Sequence, residues 1–320
     1  MPLHNEQAFI ARSLSAVLVQ DYPRDCLEVI VADGMCDDDT IEVIRSLPEA
    51  DRVQIVCNPS RVQSAGLNRA IAQAKGEIIV RVDGHTIIAH DYVRQCVRFL
   101  KGTEAQNVGG AMNPIGTTPM GKAIAAASTC AFAVPSAYHI SKTAQYTDTV
   151  YMGAWRRSCL EQLGGFDERF AINEDYELNY RLRRAGHRIY FSPEIRSIYH
   201  GRQTLRALAS QYFRYGKWKV ATLRKHPGSV RMRQLVAPLF VSALICGAVT
   251  AIMCDVGRAL WFLLVLVYSL ANLFFSIKTS GRSADVALWR LLLVFPTIHL
   301  SWGIGFLCGL VVFGLRRSST

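Results

Sequence analysis

Asp83, Gly84 and His85 follow an apolar run that predicts a strand, so they lie in the turn that comes after it. An aspartate and a histidine two positions apart in a turn can bind one divalent cation. Such a cation would bridge diphosphate oxygens and stabilise the charge that develops on a leaving nucleotide diphosphate. A turn aspartate also commonly bonds its own backbone, and this structural role is the alternative.

Asn173, Glu174 and Asp175 directly precede an amphipathic helical pattern. A carboxylate at this place can act as a general base, taking the proton from an acceptor hydroxyl as it attacks an anomeric carbon. Adjacent acids at a helix N-terminus are also common caps, which the helix dipole stabilises. Both interpretations of Glu174 and Asp175 stay open at this level.

Two further groups of polar residues could contact a substrate. Asp33 ends an apolar strand pattern, and its carboxylate could accept a hydrogen bond from a nucleobase imide; the alternative is a plain loop acid. Gln211 and Arg214 are three residues apart in a helical pattern and therefore share a face. That face could hold a ligand, or it could be a solvated or lipid-facing basic surface.

Alternating strand and helix patterns position these residues in the first two-thirds of the chain. The predicted strands are 27–32, 53–57, 77–82 and 188–191. The predicted helices are 8–19, 40–47, 64–74, 91–100, 123–134, 159–163, 176–185 and 205–224. Strands separated by helices predict an α/β fold with a Rossmann-like parallel sheet, whose ligands bind beyond the carboxyl ends of the strands.

Two regions depart from this alternation. Residues 1–6 are typical of a loop after a strand, so we expect the first strand of the sheet to be missing or the start to be misassigned. Residues 103–150 contain Gly109, Gly110, Pro114, Gly116 and Pro119 and predict a loop-rich crossing.

Charge and cysteine content restrict the class of protein. The net charge is +11, but basic residues concentrate between 217 and 233 without any recognisable nucleic-acid module, which excludes nucleic acid as the expected partner. The nine scattered cysteines have no metal-ligand spacing and predict reduced, buried thiols. Without an N-terminal signal peptide, we expect the N-terminal domain to stay in the cytosol.

The C-terminal third predicts a membrane domain. Three stretches without Asp, Glu, Lys or Arg, 234–254, 259–277 and 291–315, are each long enough to span a bilayer. The basic segment before residue 234, together with Lys278 and Arg282, indicates the cytosolic side. A third full span would place Arg316 and Arg317 outside, whereas Pro296 would allow a broken or re-entrant segment. The expected domains are 1–200, a basic interfacial linker at 201–233, and a membrane domain at 234–320.

The order of the short motifs carries a resemblance to a known family. The motifs are Pro2–Glu6, Gln20–Pro23, Val31–Gly34, Ser64–Ala70, Val82–His85, Gly164–Glu168, Asn173–Asp175 and Gln211–Tyr215. This series, over about residues 1–225, resembles the inverting family 2 glycosyltransferases with a GT-A fold. The likeness is greatest to bacterial exopolysaccharide enzymes of the succinoglycan glucosyltransferase kind.

The resemblance implies roles for individual residues. Pro2, Glu6 and Asp33 would hold the uridine of a UDP-sugar, Asn68 would lie near the donor or support its loop, and Asp83 would contact ribose and diphosphate. His85 and His200, with Asp83, would bind the metal. Asp175 would be the catalytic base. Gln211 and Arg214 would hold the donor diphosphate or the acceptor. Trp155 and Glu174 would belong to the acceptor side.

Two departures from the family pattern refine these expectations. The metal position holds His85 where an aspartate is usual, which favours Mn²⁺ over Mg²⁺ as the divalent cofactor. Tyr215 replaces the tryptophan of processive synthases, which favours transfer of a single sugar.

The resemblance implies a multi-pass protein of the plasma (inner) membrane with a cytoplasmic catalytic domain. It would move a hexose, glucose by likeness, from a UDP-sugar to a polyprenyl-diphosphate-linked saccharide, alone or in a polysaccharide assembly complex. Two alternatives remain: a polyprenyl-phosphate glycosyltransferase, and a catalytically weak membrane protein that binds nucleotide sugars.

Overall fold

The computed structural model describes residues 1–134, 136–283 and 285–314. The chain forms two compact units. The first unit comprises Met1–Asn113 and Ser136–His200, and the second comprises Pro114–Pro135 and Gly201–Thr320. The predicted boundaries at 200 and 233 stay predictions for the domain organisation.

The first unit contains two sheets. Strands β1 (Pro2–Leu3), β2 (Val29–Asp33) and β3 (Val53–Cys57) form a parallel sheet in the order β1-β2-β3. The second sheet has the order β4-β8-β6-β9-β5, and β7 also pairs with β9. Its strands are β4 (Ile78–Val80), β5 (Thr86–Ile88), β6 (Ala105–Ile115), β7 (Gln145–Thr147), β8 (Tyr151–Arg156) and β9 (Arg188–His200).

Helices cover these sheets. In the first unit they are α1 (Ile10–Leu18), α2 (Thr40–Ser46), α3 (Gln63–Gln73), α4 (Tyr92–Gly102), α6 (Ala137–Ile140), α7 (Arg157–Gln162) and α8 (Glu174–Arg184). Helix α1 shows why they form: Ile10, Leu14, Val17 and Leu18 recur at helical spacing and are all buried. Strand β2 is buried almost throughout, as expected of a strand covered on both faces.

The structure corrects two expectations about the sheets. Residues 1–6 are not only a loop, because Pro2 and Leu3 pair in parallel with Ala32 and Asp33. The fold is also not one parallel sheet, because β4 and β6 pair antiparallel with β8.

Residues 105–115 form a long strand where the sequence predicts a loop-rich crossing. A Cβ on Gly110 would lie 1.8 Å from the carbonyl oxygen of Ile195, and one on Gly109 would lie 2.6 Å from Cβ of Val150. The two glycines therefore mark close strand approach rather than a turn.

Cysteine burial is a third correction. Only Cys96 and Cys159 are buried among the nine, and Cys26, Cys57 and Cys254 are among the exposed ones. The prediction of mostly buried thiols is wrong because several apolar neighbours of these cysteines are themselves exposed.

The second unit is helical. Its helices are α5 (Pro119–Ser128), α9 (Leu205–Lys225), α10 (Met232–Met253), α11 (Asp255–Ser280) and α12 (Leu288–Gly314). The last three are long and apolar enough to cross a membrane, which agrees with the three predicted stretches. Helix α12 continues through Pro296 instead of breaking there. Residue 315 and the predicted topology markers Arg316 and Arg317 lie outside the described residues.

Candidate active site

The N-terminal loop packs against the loop that follows β2 and is hydrogen-bonded to it. Asp33 accepts the backbone N–H of Cys36 at 2.9 Å, and the backbone N–H of Glu6 donates to Thr40 Oγ1 at 2.8 Å. A Cβ on Gly34 would lie 2.6 Å from the carbonyl oxygen of Leu3. Pro2, Glu6 and Asp33, which the sequence assigns to one ligand, therefore lie at one end of the β1–β2 pair.

Arg81 organises the turn after β4. Its Nε donates to Asp83 Oδ1 at 2.8 Å, and its Nη2 lies 3.4 Å from Oδ2. Arg81 and Asp83 are only 6% and 7% exposed, respectively. Burial alone would raise the pKa of Asp83, but Arg81 and His85 outweigh it and hold the pKa below its usual value. Asp83 is therefore an ionised carboxylate in a buried setting.

The same arginine contacts the acids of α8. Its Nη1 donates to Glu174 Oε1 at 3.0 Å, and Glu174 is 4% exposed. Burial raises the pKa of Glu174 to about 7 against the opposing charge of Arg81, and Asp175 raises it further. Burial also raises the pKa of Asp175, which Arg81 lowers and Asp83 raises. The charges of Arg81 and Asp83 thus both act on Asp175.

Asp175 has the properties of a general base. It lies in the first turn of α8, after Asn173 in the left-handed conformation. It is half-buried, and its Oδ1 accepts the backbone N–H of Tyr176 at 2.7 Å. A carboxylate with a raised pKa holds a proton more strongly, so it removes one from a hydroxyl more effectively than an exposed carboxylate does.

His85 pairs with Glu6 at the same turn. Its Nδ1 lies 2.9 Å from Glu6 Oε1, so Nε2 is the ring nitrogen that would bind a cation. A carboxylate on the other ring nitrogen orients metal-binding histidines in this way. His200 lies beside it, and burial, Arg12 and His85 lower its pKa, which favours the neutral imidazole that a metal needs.

These donors fit a cation that a diphosphate shares. Among residues 1–134, 136–283 and 285–314, no three His, Cys, Asp or Glu side chains are grouped to hold a metal ion. Arg81 binds the Asp83 carboxylate, so of the three predicted ligands Asp83 is the one already held by a buried ion pair. A cation bound to nucleotide phosphates commonly has only one or two protein ligands.

Asn68 supports a turn. Its Nδ2 donates to the carbonyl of Phe166 at 2.8 Å and to Glu168 at 2.9 Å, and its Oδ1 accepts the Phe166 N–H at 2.8 Å. Gly165 has φ +69°, and a Cβ there would lie 2.6 Å from Asn68 Oδ1. Of the two roles expected of Asn68, these contacts correspond to supporting a loop.

Two predicted acceptor residues are buried. Trp155 is 1% exposed and packs edge-on against Phe166, so it lies in the core rather than on an open wall. Glu174 is held by Arg81 instead of facing an open cleft. The burial of these two side chains corrects the expectation that they contact the acceptor, because neither offers accessible surface.

Gln211 and Arg214 lie on α9 in the second unit. Gln211 donates to the hydroxyl of Tyr215 at 2.9 Å. Their contact with donor or acceptor stays a prediction.

Sequence reasoning missed Arg81, although a signal existed. Arg81 interrupts the apolar run Ile78–Val82, and an arginine inside a buried strand needs an acidic partner. The sequence could not identify Glu174 as that partner, since it lies 93 residues away.

The chain is similar in sequence to known proteins. A family model described as glycosyltransferase like family 2 matches residues 2–217. The succinoglycan biosynthesis protein ExoA of Rhizobium meliloti is 32% identical over 295 residues, which cover 90% of this chain and 87% of that protein. A dolichyl N-acetyl-alpha-D-glucosaminyl phosphate 3-beta-D-2,3-diacetamido-2,3-dideoxy-beta-D-glucuronosyltransferase of Methanococcus voltae is 24% identical and covers 97% of this chain and 96% of its own.

A solved structure supports the fold. The mannosyltransferase PcManGT of Pyrobaculum calidifontis, in complex with GDP-Man and Mn²⁺, matches with a TM-score of 0.63 at 19% identity, over 97% of this chain and 85% of that chain. This match confirms the predicted GT-A fold. With the family model covering two-thirds of the chain, the protein belongs to the family 2 glycosyltransferases.

Proposed function

We propose that this glycosyltransferase moves a hexose from a UDP-sugar to a lipid-linked saccharide, with inversion at the anomeric carbon. The observation that supports the proposal most strongly is the Arg81 bridge, which gathers Asp83 and Glu174 within 3.0 Å of one guanidinium, with Asp175 adjacent in sequence. Donor-side and base-side carboxylates thus belong to one cluster.

Asp175 is the base in this proposal. Its carboxylate takes the proton of the acceptor hydroxyl while the hydroxyl oxygen attacks the anomeric carbon. The bond from that carbon to the diphosphate oxygen breaks, and UDP leaves with the bonding electrons. A single displacement of this kind converts an α-linked donor into a β-glycoside.

Pro2, Glu6 and Asp33 hold the nucleoside in this proposal. The Asp33 carboxylate accepts from the uracil imide, and its bond to the Cys36 N–H fixes its orientation. The solved TarS of Staphylococcus aureus, in complex with UDP-GlcNAc, matches with a TM-score of 0.51 and supports a UDP-sugar as donor.

His85 and His200, with Asp83 nearby, would hold a divalent cation together with the donor diphosphate. When bound, the cation supplies positive charge for the departing UDP. Imidazole donors favour Mn²⁺ over Mg²⁺. The Glu6 carboxylate keeps the His85 ring in place.

The membrane helices favour a lipid-linked acceptor. A soluble acceptor would not need an active site tethered by α10, α11 and α12. The names of two relatives support this acceptor class: a succinoglycan biosynthesis protein of Rhizobium, and a Methanococcus glucuronosyltransferase named for a dolichyl-linked N-acetylglucosaminyl phosphate. In this proposal the acceptor is a saccharide on a polyprenyl carrier, at the cytoplasmic face of the plasma membrane.

The test is UDP release by the full chain purified in detergent. UDP-hexoses are supplied with and without a polyprenyl-diphosphate-linked saccharide, in Mn²⁺ or Mg²⁺. We expect acceptor-dependent UDP release and a product that withstands mild acid at the new bond. An acid-labile product on polyprenyl phosphate alone would indicate the polyprenyl-phosphate transferase, and donor binding without any turnover would overturn the proposal.

A further inference from the structure

Helix α12 differs from the other two apolar helices in how far neighbours cover it. In its most apolar 18-residue window 39% of the residues are buried, against 11% in the windows of α10 and α11. The length and composition of α12 allow a membrane span but do not fix its orientation. The helices that pack on α12 decide how it lies relative to the membrane.

Helix α9 packs along α12 with the two backbones in direct contact. A Cβ on Gly216 would lie 2.1 Å from the carbonyl oxygen of Trp302, and one on Gly305 would lie 2.1 Å from that of Phe213. Farther along, the rings of Trp218 and Phe313 are 5.7 Å apart. The two helices thus run side by side in the same direction. If α12 enters the membrane, α9 enters it to the same depth.

Exposed cations occur along the whole of α9. They are Arg206, Arg214, Arg224 and Lys225. Arg206 and Lys225 lie 19 positions apart, or about 28 Å along the helix, close to the thickness of the hydrocarbon core. If α12 crossed the bilayer, α9 would carry these cations through it, and a charged side chain is costly near the centre of the hydrocarbon core.

Helix α12 also covers only one end of the α10–α11 hairpin. A Cβ on Gly303 would lie 2.5 Å from Val241 and 2.7 Å from the carbonyl oxygen of Ala237, near the start of α10. Asn272, near the end of α11, donates to the carbonyl of Leu292 at 3.1 Å. Tyr268 Oη also lies 2.9 Å from His299 Nδ1. We call this end of the hairpin, residues 232–241 and 268–280, the base.

The rest of the hairpin is open. Val249, Ile252 and Phe262 are 55%, 85% and 59% exposed, respectively. The tip carries the exposed ion pair of Asp255 and Arg258, at 3.2 Å. A third span running beside this hairpin would cover its far half as well. A helix lying across the base would cover the base alone, as observed.

We propose that α12 lies in the plane of the membrane surface with α9, and that the chain crosses the bilayer only twice, through α10 and α11. The lipid headgroups are the partner of this two-helix surface: the cations of α9 face the phosphates, while the apolar side of α12 enters the acyl boundary. The end of α12 then lies on the same side of the membrane as α9.

Spin labels at three positions measure the orientation. Leu293, Ile304 and Val311 are exposed and lie within about 20° of one another around α12. Each is replaced by a spin-labelled cysteine in a full chain without native cysteines, reconstituted in phosphatidylcholine vesicles containing phosphatidylglycerol. Oxygen and nickel-chelate accessibilities then give the depth of each label.

We expect the three labels to lie at equal depth, within about one helical turn. A transmembrane α12 would separate Leu293 from Val311 by about 27 Å, and a re-entrant helix would place Ile304 deeper than both; either result overturns the proposal.

A second measurement uses the chain with its native cysteines, so it tests the proposal even if the cysteine-free variant fails to fold. Alkaline phosphatase or green fluorescent protein is fused after Thr320 in bacterial cells. The proposal expects fluorescence and no phosphatase activity. Native Cys254, exposed at the hairpin tip, serves as the control and should react with an impermeant maleimide in intact cells. An active phosphatase after Thr320 overturns the proposal.

Discussion

Nη1 of Arg81 lies 3.0 Å from Oε1 of Glu174, and this bond connects the turn after β4 to the first turn of α8. Both side chains are buried, and the same guanidinium binds Asp83. One cation therefore sets the spacing between the donor-side acid and the segment that carries Asp175.

Replacing Arg81 should cost both stability and activity. In Arg81→Met, Asp83 and Glu174 stay buried without their cation, and loss of one partner of a buried pair typically costs about 3–5 kcal/mol. Arg81→Lys keeps the charge but lacks the planar fork that reaches both acids, so we expect partial stability and much reduced sugar transfer.

Thermal melting of the full chain in detergent checks this prediction. Arg98→Met is the matched control, since Arg98 forms an ion pair with Glu194 and both are about half exposed. Such surface pairs contribute about 1 kcal/mol or less. Equal melting temperatures for Arg81→Met and the control would contradict a buried bridge.

Asp175→Asn tests the base directly. Asparagine keeps the size of the side chain but cannot accept the hydroxyl proton, so sugar transfer should fall by about 10²–10⁴-fold. UDP binding, measured by calorimetry, should change little, because Asp175 does not hold the nucleoside in the proposed mechanism. Turnover within tenfold of the native enzyme would show that another group is the base.

Glu174 gives stability a defined pH dependence. Its pKa is about 7 in the folded chain, against 4.5 for an ordinary glutamate. Between these values the folded chain retains a proton that the unfolded chain has released, so this stabilisation is complete below pH 4.5 and is lost as the pH rises through about 7. Asp175 contributes in the same direction, whereas the lowered pKa of Asp83 acts at more acidic pH.

The melting temperature between pH 5 and 7.5 measures this effect. Glu174→Gln is neutral at every pH, so its melting temperature should fall less over this range than that of the native chain. Glu194→Gln, at an exposed position, should retain the native slope. A slope that is unchanged in Glu174→Gln would mean that Glu174 is ionised throughout the range.

The metal prediction depends on His85 and Glu6. His85→Ala removes the expected ligand, and Glu6→Gln weakens the group that orients its ring, so both should raise the Mn²⁺ concentration needed for half-maximal activity, Glu6→Gln by about 10–100-fold. His90→Ala, at an exposed position, is the control. A native enzyme that is fully active in EDTA would contradict a divalent cofactor.

Local patterns predicted what local sequence determines. Helices α1 and α2 and strand β3 lie within two residues of their predicted bounds, because apolar spacing and turn residues act over a few positions. Strand β6 was missed because its glycines are required by β8 and β9, which are far away in sequence.

The candidate site followed the same rule. Asp33, Asp83 and Asp175 were proposed from their places at strand and helix ends, which are set locally, and their roles stay predictions. Burial is not set by local sequence, so Trp155 was assigned to an acceptor wall although it lies in the core. Arg81 was missed because its role depends on an ion pair with Glu174, which is distant in sequence.

The contact between Asn272 and α12 provides a last prediction. Pro296 has no N–H, so it cannot bond the carbonyl of Leu292 one turn earlier, and Asn272 Nδ2 takes that place at 3.1 Å. Asn272→Ala should therefore lower stability by about 1–3 kcal/mol, the cost of a buried group without a partner. Pro296→Ala restores the helical donor, so the double variant should recover most of the loss. Melting temperatures of the native chain, both single variants and the double variant complete the cycle. Additive losses would mean that Asn272 stabilises α11 in some way other than through the Leu292 carbonyl.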